Sequence, residues 1–298
     1  MWEGSRSILG ILTRNPNGFG SSSLLEAARR RGVTSFYFRF RDIIARVGGG
    51  PPLQVRGLNV KDINSVIVRP IGRSSLDQAI FRLDALYTME DLGVHVINKP
   101  SAIERSMDKY RSLYLLHKRG IPVPETVVVE DPSIAFEFMR TMPDIVLKPV
   151  FGSRGHGSTR ISDRDLAWNI LREQAFFRHV IYMQRFIPHR RRDIRAFVIG
   201  NEVIAAMVRE NPESWKTNVA MGAKPKPIKL EGELEDLAIK STEILGCEVA
   251  GVDILLSESG NAYVLEVNSQ PGWRGLQSVT KVNIAEKIVD YAILTSKR

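Results

Sequence analysis

Two apolar segments near the C-terminal end, Gly251-Val-Asp-Ile-Leu-Leu and Ala262-Tyr-Val-Leu-Glu-Val-Asn, flank the polar stretch Ser257-Glu-Ser-Gly-Asn. Aliphatic and β-branched residues on both sides of a short turn specify a β-hairpin, with Gly260 supplying a position that tolerates φ > 0. A turn centred on Ser259 and Gly260 places Asp253 directly opposite Glu266, with Cβ atoms roughly 5 Å apart. Asn268 lies two residues further on, hence on the same face. Facing carboxylates repel each other, and neither strand carries a Lys or Arg to relieve them. A cation would, and all-oxygen ligands suit Mg2+ or Mn2+, which keep waters and take substrate phosphates to complete an octahedron. The competing reading is a solvated polar face on an amphipathic hairpin, and these three residues alone do not choose between them.

At 298 residues, 43% of them apolar, the chain suits two or three small lobes with real cores. A formal net charge of +9 favours anionic partners, among them nucleotides, acidic metabolites, nucleic acid and membrane surfaces. The single cysteine, Cys247, excludes an internal disulfide and sits beside a strand like a buried structural thiol. No apolar run approaches the ~20 residues of a membrane span, and the N-terminus lacks a secretory apolar core, so a soluble cytoplasmic protein is expected.

Strand and helix patterns alternate through the first hundred residues: strand 7–12, helix 24–31, strand 35–38, strand 65–68, helix 76–92. That order predicts a parallel α/β layer. A break at Asn98-Lys-Pro-Ser precedes one helix over 102–118, which stops at Gly120 before Ile-Pro-Val-Pro. The middle reads as strand 126–129, helix 133–140, strand 145–150, a glycine-rich loop, helix 163–176 and strand 180–184, an α+β lobe. Strands 194–199 and 203–208, a polar loop, helix 233–245, the hairpin and a closing helix 283–294 follow. The expected division is 1–100, 101–190 and 191–298.

The glycine-rich loop holds Gly152, Ser153, Arg154, Gly155, His156 and Gly157 between a strand and a helix. Its glycines let the backbone approach phosphates, although such a loop also serves as a plain connector, and it matches neither a Walker pattern nor GxGxxG. Lys148 ends the preceding strand, where it either reaches a phosphate or snorkels at the surface. Gln184-Arg185-Phe186-Ile187 runs into Pro188 as an extended segment whose backbone groups suit an adenine edge, or it is merely a strand end. The cationic run 189–195 lacks interleaved aromatic residues, which disfavours nucleic acid. The histidines show no zinc spacing.

Taken in order, Asp108-Lys-Tyr-Arg, Gly120-Ile-Pro-Val-Pro-Glu-Thr, Val146-Leu-Lys-Pro with Gly152-Ser-Arg-Gly-His-Gly, Gln184-Arg-Phe-Ile, Asp193-Ile-Arg-Ala-Phe-Val-Ile-Gly, Met207-Val-Arg, Trp215-Lys-Thr-Asn, Ala250-Gly-Val-Asp and Leu265-Glu-Val-Asn-Ser-Gln-Pro-Gly resemble the ATP-grasp superfamily. The likeness is to its RimK-type α-L-glutamate ligases and spans nearly the whole chain. It implies a three-lobed ATP-grasp fold behind a parallel α/β pre-ATP-grasp domain, with ATP between the central and C-terminal sheets and two Mg2+ (or Mn2+) ions on its phosphates. It implies Lys109 and Lys148 as phosphate contacts, Gln184 to Ile187 as the adenine-binding hinge and Asp193 as a nucleotide-binding acidic position. Arg209 corresponds to the arginine that steadies the transferred phosphate; Lys216, Thr217 and Asn218 overlie an Arg-Ser-Asn segment near the phosphates. Asp253, Glu266 and Asn268 match the metal ligands. His156 and Lys216 depart from the usual residues, and Trp273 stands where an acceptor pocket is shaped.

The resemblance further implies acylphosphate formation on a carboxylate-bearing, anionic acceptor, followed by amide formation with L-glutamate, with Lys148 and Arg209 screening the charge. Val68-Arg-Pro-Ile-Gly-Arg-Ser-Ser and Trp215-Lys-Thr-Asn are most similar to members acting on tetrahydromethanopterin. The deazaflavin coenzyme, a ribosomal protein and an amino-group-carrier protein are the alternative acceptors, and a non-catalytic nucleotide- or RNA-binding module is the alternative class. Assembly as a dimer or tetramer is expected, without a membrane partner.

Overall fold

The computed structural model describes residues 7–72, 74–150 and 157–296. The first layer runs β1 (Ile8–Leu12), α1 (Phe19–Arg30), β2 (Thr34–Phe38), β3 (Ile43–Ala45), β4 (Leu53–Val55), β5 (Leu58–Asn59), β6 (Ser65–Val68), α2 (Leu76–Asp91) and β7 (His95–Ile97). β2, β1, β6 and β7 pair in that order, all parallel, as the alternating pattern predicts. The near-continuous burial of β1 and β6 explains their unbroken apolar runs, since a parallel sheet is covered on both faces. β7 and the small antiparallel sheet β3-β4-β5 lie outside the expected strands; at two or three residues each, they are too short to show a period of two.

The next segment comprises α3 (Pro100–Met107), α4 (Lys109–Lys118), β8 (Thr126–Val129), α5 (Pro132–Phe138), β9 (Ile145–Lys148), β10 (Thr159–Ile161), α6 (Arg164–Phe176) and β11 (Ile181–Arg185). The expected single helix over 102–118 is two. Asp108 adopts an extended conformation and caps the second by accepting a hydrogen bond from Arg111 N at 3.0 Å. β10, β9, β11 and β8 form an antiparallel sheet whose far face packs against α5 and α6 through Ala135, Met139, Ala167 and Leu171.

β12 (Arg192–Ile199), β13 (Glu202–Glu210), β14 (Lys224–Ile228), α7 (Glu233–Leu245), β15 (Val249–Leu256), β16 (Ala262–Asn268), α8 (Arg274–Gln277) and α9 (Ile284–Thr295) complete the chain. The sheet order is β14-β13-β12-β15-β16, antiparallel throughout. β14 occupies part of the expected polar loop. Its Pro225 and Pro227 hide it from a strand reading, and an edge position is where prolines are tolerated.

The layers share cores. Leu9, Ile11 and Leu24 of the first layer pack with Phe197, Trp273 and Ile288 of the last. Ala102, Leu113 and Leu116 of α3 and α4 pack under Ala196, Val198, Ala250 and Val252 of the five-stranded sheet. Buried Asn98 fastens the parallel layer to that sheet. Its Oδ1 accepts from Glu248 N (2.6 Å) and Val249 N (2.8 Å), and its Nδ2 donates to Val249 O (2.7 Å) and to Ser269 O. Among the described residues no helix is long and apolar enough to cross a membrane.

Candidate functional site

A row of charges crosses the five-stranded sheet. Arg209 of β13 lies opposite Asp193 of β12, Arg195 of β12 lies opposite Asp253 of β15, and Asp253 lies opposite Glu266 of β16. Asp193 and Arg195 are two apart on one strand and share its face. The expected facing of Asp253 and Glu266 is present, but the turn beyond it is not the expected one. From Leu256 to Ile254 the partners are Ala262, Tyr263 and Val264, one residue short of the predicted register; a bulge at Leu265 then restores it at Asp253. The bulge brings a carboxylate rather than a leucine to face Asp253.

The expectation that the two carboxylates lack cationic relief is corrected here, because the relief comes from the neighbouring strands. Arg209 Nε donates to Asp193 Oδ1 at 2.8 Å, its second nitrogen reaches Asp193 Oδ2, and it lies 3.0 Å from Asp253 Oδ1. Arg195 Nε sits 2.5 Å from Asp253 Oδ1, and its terminal nitrogen donates to Oδ2 at 3.0 Å. Burial alone would lower the pKa of Arg209, but Asp253 and Asp193 more than reverse this and hold it charged. Burial raises the Asp193 carboxyl above its ordinary value, against the pull of Arg209 and a hydrogen bond from Thr217. Arg195 escaped sequence reasoning. Its signal is the spacing Asp-Ile-Arg on a strand, which becomes informative only once β12 is known to pair with β15. Gly251 is required beside it: a Cβ there would collide with the Arg195 guanidinium and lie 3.0 Å from Pro271 Cβ.

Glu266 makes no ion pair among the described residues, and its field reaches across the cleft to two lysines. Lys148, at the end of β9, is pushed down to about 8 by burial, while Glu266 favours its charge, Lys109 opposes it and Asp253 favours it. Its Nζ donates to Gln184 Oε1 at 2.5 Å, and Gln184 Nε2 donates to Thr126 Oγ1 at 3.0 Å. Lys109 donates to Pro149 O (3.1 Å) and Val150 O (2.9 Å), tying α4 to the strand end before the glycine-rich loop; burial lowers its pKa, opposed by Glu266. Gly152, Ser153, Arg154, Gly155 and His156 lie outside the described residues. Gly157 is at φ +78°, the left-handed region that favours glycine.

The hinge segment is more engaged than expected. Arg185 N donates to Glu125 O (2.8 Å) and Phe186 N to Asp144 O (2.9 Å), so an adenine edge would have to meet other groups of the segment. The Arg185 side chain is turned to Glu125 and Thr141 O. Phe186 is sandwiched by Arg160, 3.6 Å above its ring, and by His189 and Trp215. His189 contacts Ile187 O at 2.8 Å and Trp215 O at 3.1 Å, bridging the hinge to the segment 216–218. Thr217 is buried, whereas Lys216 and Asn218 are half-buried, Lys216 lying 5.5 Å from the Trp215 ring.

The donor set fits a hard divalent cation. Among the described residues no group of three or more His, Cys, Asp or Glu comes together, which is unlike a zinc site. Asp253 and Glu266 offer carboxylate oxygens side by side, Asn268 follows on the same strand with its Nδ2 donating to Gly251 O at 3.3 Å, and Glu266 makes no ion pair among the described residues. Such a ligand set leaves coordination positions for water and phosphate, as Mg2+ prefers.

Residues 106–292 match the family described as RimK-like ATP-grasp domain. The tetrahydromethanopterin:alpha-L-glutamate ligase of Methanosarcina acetivorans is 31% identical, over 95% of this chain and 98% of the relative. The enzyme of the same description from Methanocaldococcus jannaschii is 37% identical over 78% and 80%. Among solved structures, the ATP-grasp ligase PsnB complexed with minimal precursor, Mg and ADP superposes with a TM-score of 0.76 at 23% identity, covering 98% of this chain and 99% of that one. That likeness establishes the three-dimensional fold.

Proposed function

The chain belongs to the RimK-like ATP-grasp family, and we infer from that membership and from the charge row that it is an ATP-dependent α-L-glutamate ligase. The observation that carries the reading is the end of the row. After alternating Arg209, Asp193, Arg195 and Asp253, the sheet places a second carboxylate, Glu266, beside Asp253 and opposite Lys148 and Lys109. Asp253, Glu266 and Asn268 would hold a divalent cation, two ions in the full reading, which would neutralise charge on the nucleotide phosphates.

The remaining work falls to the protein. Lys148 and Lys109 hold phosphate oxygens, and a charged Lys148 offsets repulsion between the γ-phosphate and the attacking acceptor carboxylate. Arg209 stays protonated and presents a fixed positive charge to the acylphosphate; with Arg195 it needs no reorganisation, because Asp193 and Asp253 hold both guanidinium groups in place. The glutamate amine then attacks the activated carbonyl, an amide bond forms and phosphate leaves. Gln184 to Ile187 seat the adenine, Asp193 and Lys216 to Asn218 line the nucleotide, and Gly152 to Gly157 cover its phosphates. The lobes are 1–100, 101–190 and 191–298, assembled as a cytoplasmic dimer or tetramer.

Tetrahydromethanopterin is the acceptor supported best, since the Methanosarcina acetivorans and Methanocaldococcus jannaschii relatives carry that description over most of the chain. The test is mass spectrometry of candidate acceptors incubated with protein, ATP, Mg2+ and L-glutamate. A glutamyl mass increment with stoichiometric ADP release is expected. Absence of both with every acidic acceptor overturns the assignment.

A further inference from the structure

The histidine that ends the hinge takes no part in the ligase reading. His189 follows Pro188 and is half-buried, with Nδ1 2.8 Å from Ile187 O and Nε2 3.1 Å from Trp215 O. Both partners are carbonyl oxygens, which accept hydrogen bonds and cannot donate them. A neutral imidazole carries one N–H, so either tautomer turns the lone pair of its other nitrogen toward a carbonyl lone pair. The imidazolium donates to both. The surroundings of the ring are therefore those of a cationic double donor.

The charges around His189 come from four segments. Its own carries Arg190, Arg191 and Arg192, the last opposite Glu210, and Arg185, which pairs with Glu125. Across the Phe186 ring stands Arg160, held by Asp144 at 2.9 Å. The facing segment brings Glu213 and Lys216, and Glu258 approaches with its backbone N–H donating to Pro188 O at 2.9 Å. No carboxylate pairs with the ring among the described residues, and basic groups are in the majority. What holds a second proton on His189 is thus the pair of carbonyls, and both must be in place at once. Taking up that proton and joining the two segments become a single event.

The two segments are the two ends of the nucleotide site. Ile187 closes the adenine hinge, whereas Trp215 precedes Lys216, Thr217 and Asn218. Thr217 hydrogen-bonds Asp193, and Asp193 holds Arg209 beside Asp253. Asn211 fixes the same segment by donating to Lys216 O at 2.9 Å and Met221 O at 3.2 Å, so a shift at Trp215 carries through to Thr217. We propose that His189 is a positioning residue: as an imidazolium it clasps Ile187 O and Trp215 O and sets the spacing between the adenine end and the phosphate end of the site, linking nucleotide affinity to one proton. It acts through the segments that it joins, without touching the metal-candidate residues. The inference rests on reading those segments as the nucleotide site.

The test measures binding of ADP and of adenosine to the full-length protein in Mg2+ at pH 6 and pH 8, for wild type and His189→Gln. ADP engages both ends of the site and adenosine the hinge alone. At pH 6 the variant is expected to bind ADP about tenfold more weakly or worse, and adenosine within about twofold of wild type. At pH 8, where an imidazole has lost its second proton, the ADP affinities of the two proteins are expected to agree within about twofold, which also shows the variant folded. Lys148 and the ADP phosphates titrate alike in both proteins, so their effects cancel in the comparison. In the ligation assay at pH 6 the variant is expected to raise the ATP KM with the glutamate and acceptor KM unchanged. A measurement without any variant is the 15N spectrum of the His189 ring in the wild-type complex with Mg2+ and ADP at pH 6, expected to show hydrogens on both nitrogens. A bare ring nitrogen there, an equal ADP deficit at both pH values, an equal loss for adenosine, or wild-type ADP affinity at pH 6 overturns the proposal. Ligation without the pH-dependent ADP deficit overturns the clasp and leaves the ligase reading; the deficit without ligation of any acceptor overturns the ligase reading and leaves the clasp.

Discussion

Asp253 faces Glu266 across β15 and β16 because Leu265 is bulged out of the ladder, yet the two carboxylates have opposite surroundings. Asp253 is wedged between Arg195 and Arg209, whereas Glu266 makes no ion pair among the described residues. The same candidate ligand role therefore predicts different costs at the two positions.

Glu266→Gln is expected to remove ligation by at least a hundredfold while leaving stability within about 1 kcal/mol, since it deletes one of two repelling charges without orphaning a partner. ADP release and urea unfolding on the same preparation check this. Ligation at the wild-type rate would remove Glu266 from the metal set.

Asp253→Asn leaves Arg209 with Asp193 alone and takes from Arg195 the carboxylate it pairs with. A loss of about 3 kcal/mol or more of folding stability is expected, because an uncompensated buried charge remains. Urea unfolding reads it directly, and an unchanged midpoint would show that the arginines are not held by this residue.

Nucleotide affinity without metal is expected to depend on Lys148. Its folded pKa of about 8, depressed by burial, means that the charge attracting phosphate is lost as pH rises through that value. ATP binding in EDTA should weaken from pH 7 to pH 9, and Lys148→Arg should flatten the profile. The linked stability effect has the opposite sense. The penalty for burying the charged amine is fully present below about pH 8 and is relieved as pH climbs toward the unfolded value near 10.4.

Asn98→Ala removes hydrogen bonds to Glu248 N, Val249 N, Val249 O and Ser269 O at once. A loss of about 2–4 kcal/mol is expected, since buried donors and acceptors are left unpaired. Thermal unfolding checks it, with Asn98→Asp as the comparison that keeps the acceptor and loses the donor.

The hairpin, the parallel first layer and helix 233–245 were legible because each is local: their apolar periods and turn residues lie within a few positions of one another. Asp253, Glu266 and Asn268 could be nominated on the same ground. The split at Asp108 is not legible, because one capping residue barely interrupts a helical pattern. β14 is hidden because prolines erase the strand signal at an edge.

The amino-acid order by itself marked most of the strands and helices, nominated Asp253, Glu266 and Asn268 on one hairpin, and carried the resemblance to the family, whereas the bulge at Leu265 that brings Asp253 opposite Glu266 is visible only in the structure. Only the tertiary structure decided that Arg195 and Arg209 neutralise Asp253, that Lys148 is buried enough to titrate near pH 8, and that both ring nitrogens of His189 meet carbonyl oxygens. The reason is physical. Pairing within a hairpin is set by nearby residues, whereas burial and the sign of a neighbouring charge depend on segments that meet only after the sheets have assembled.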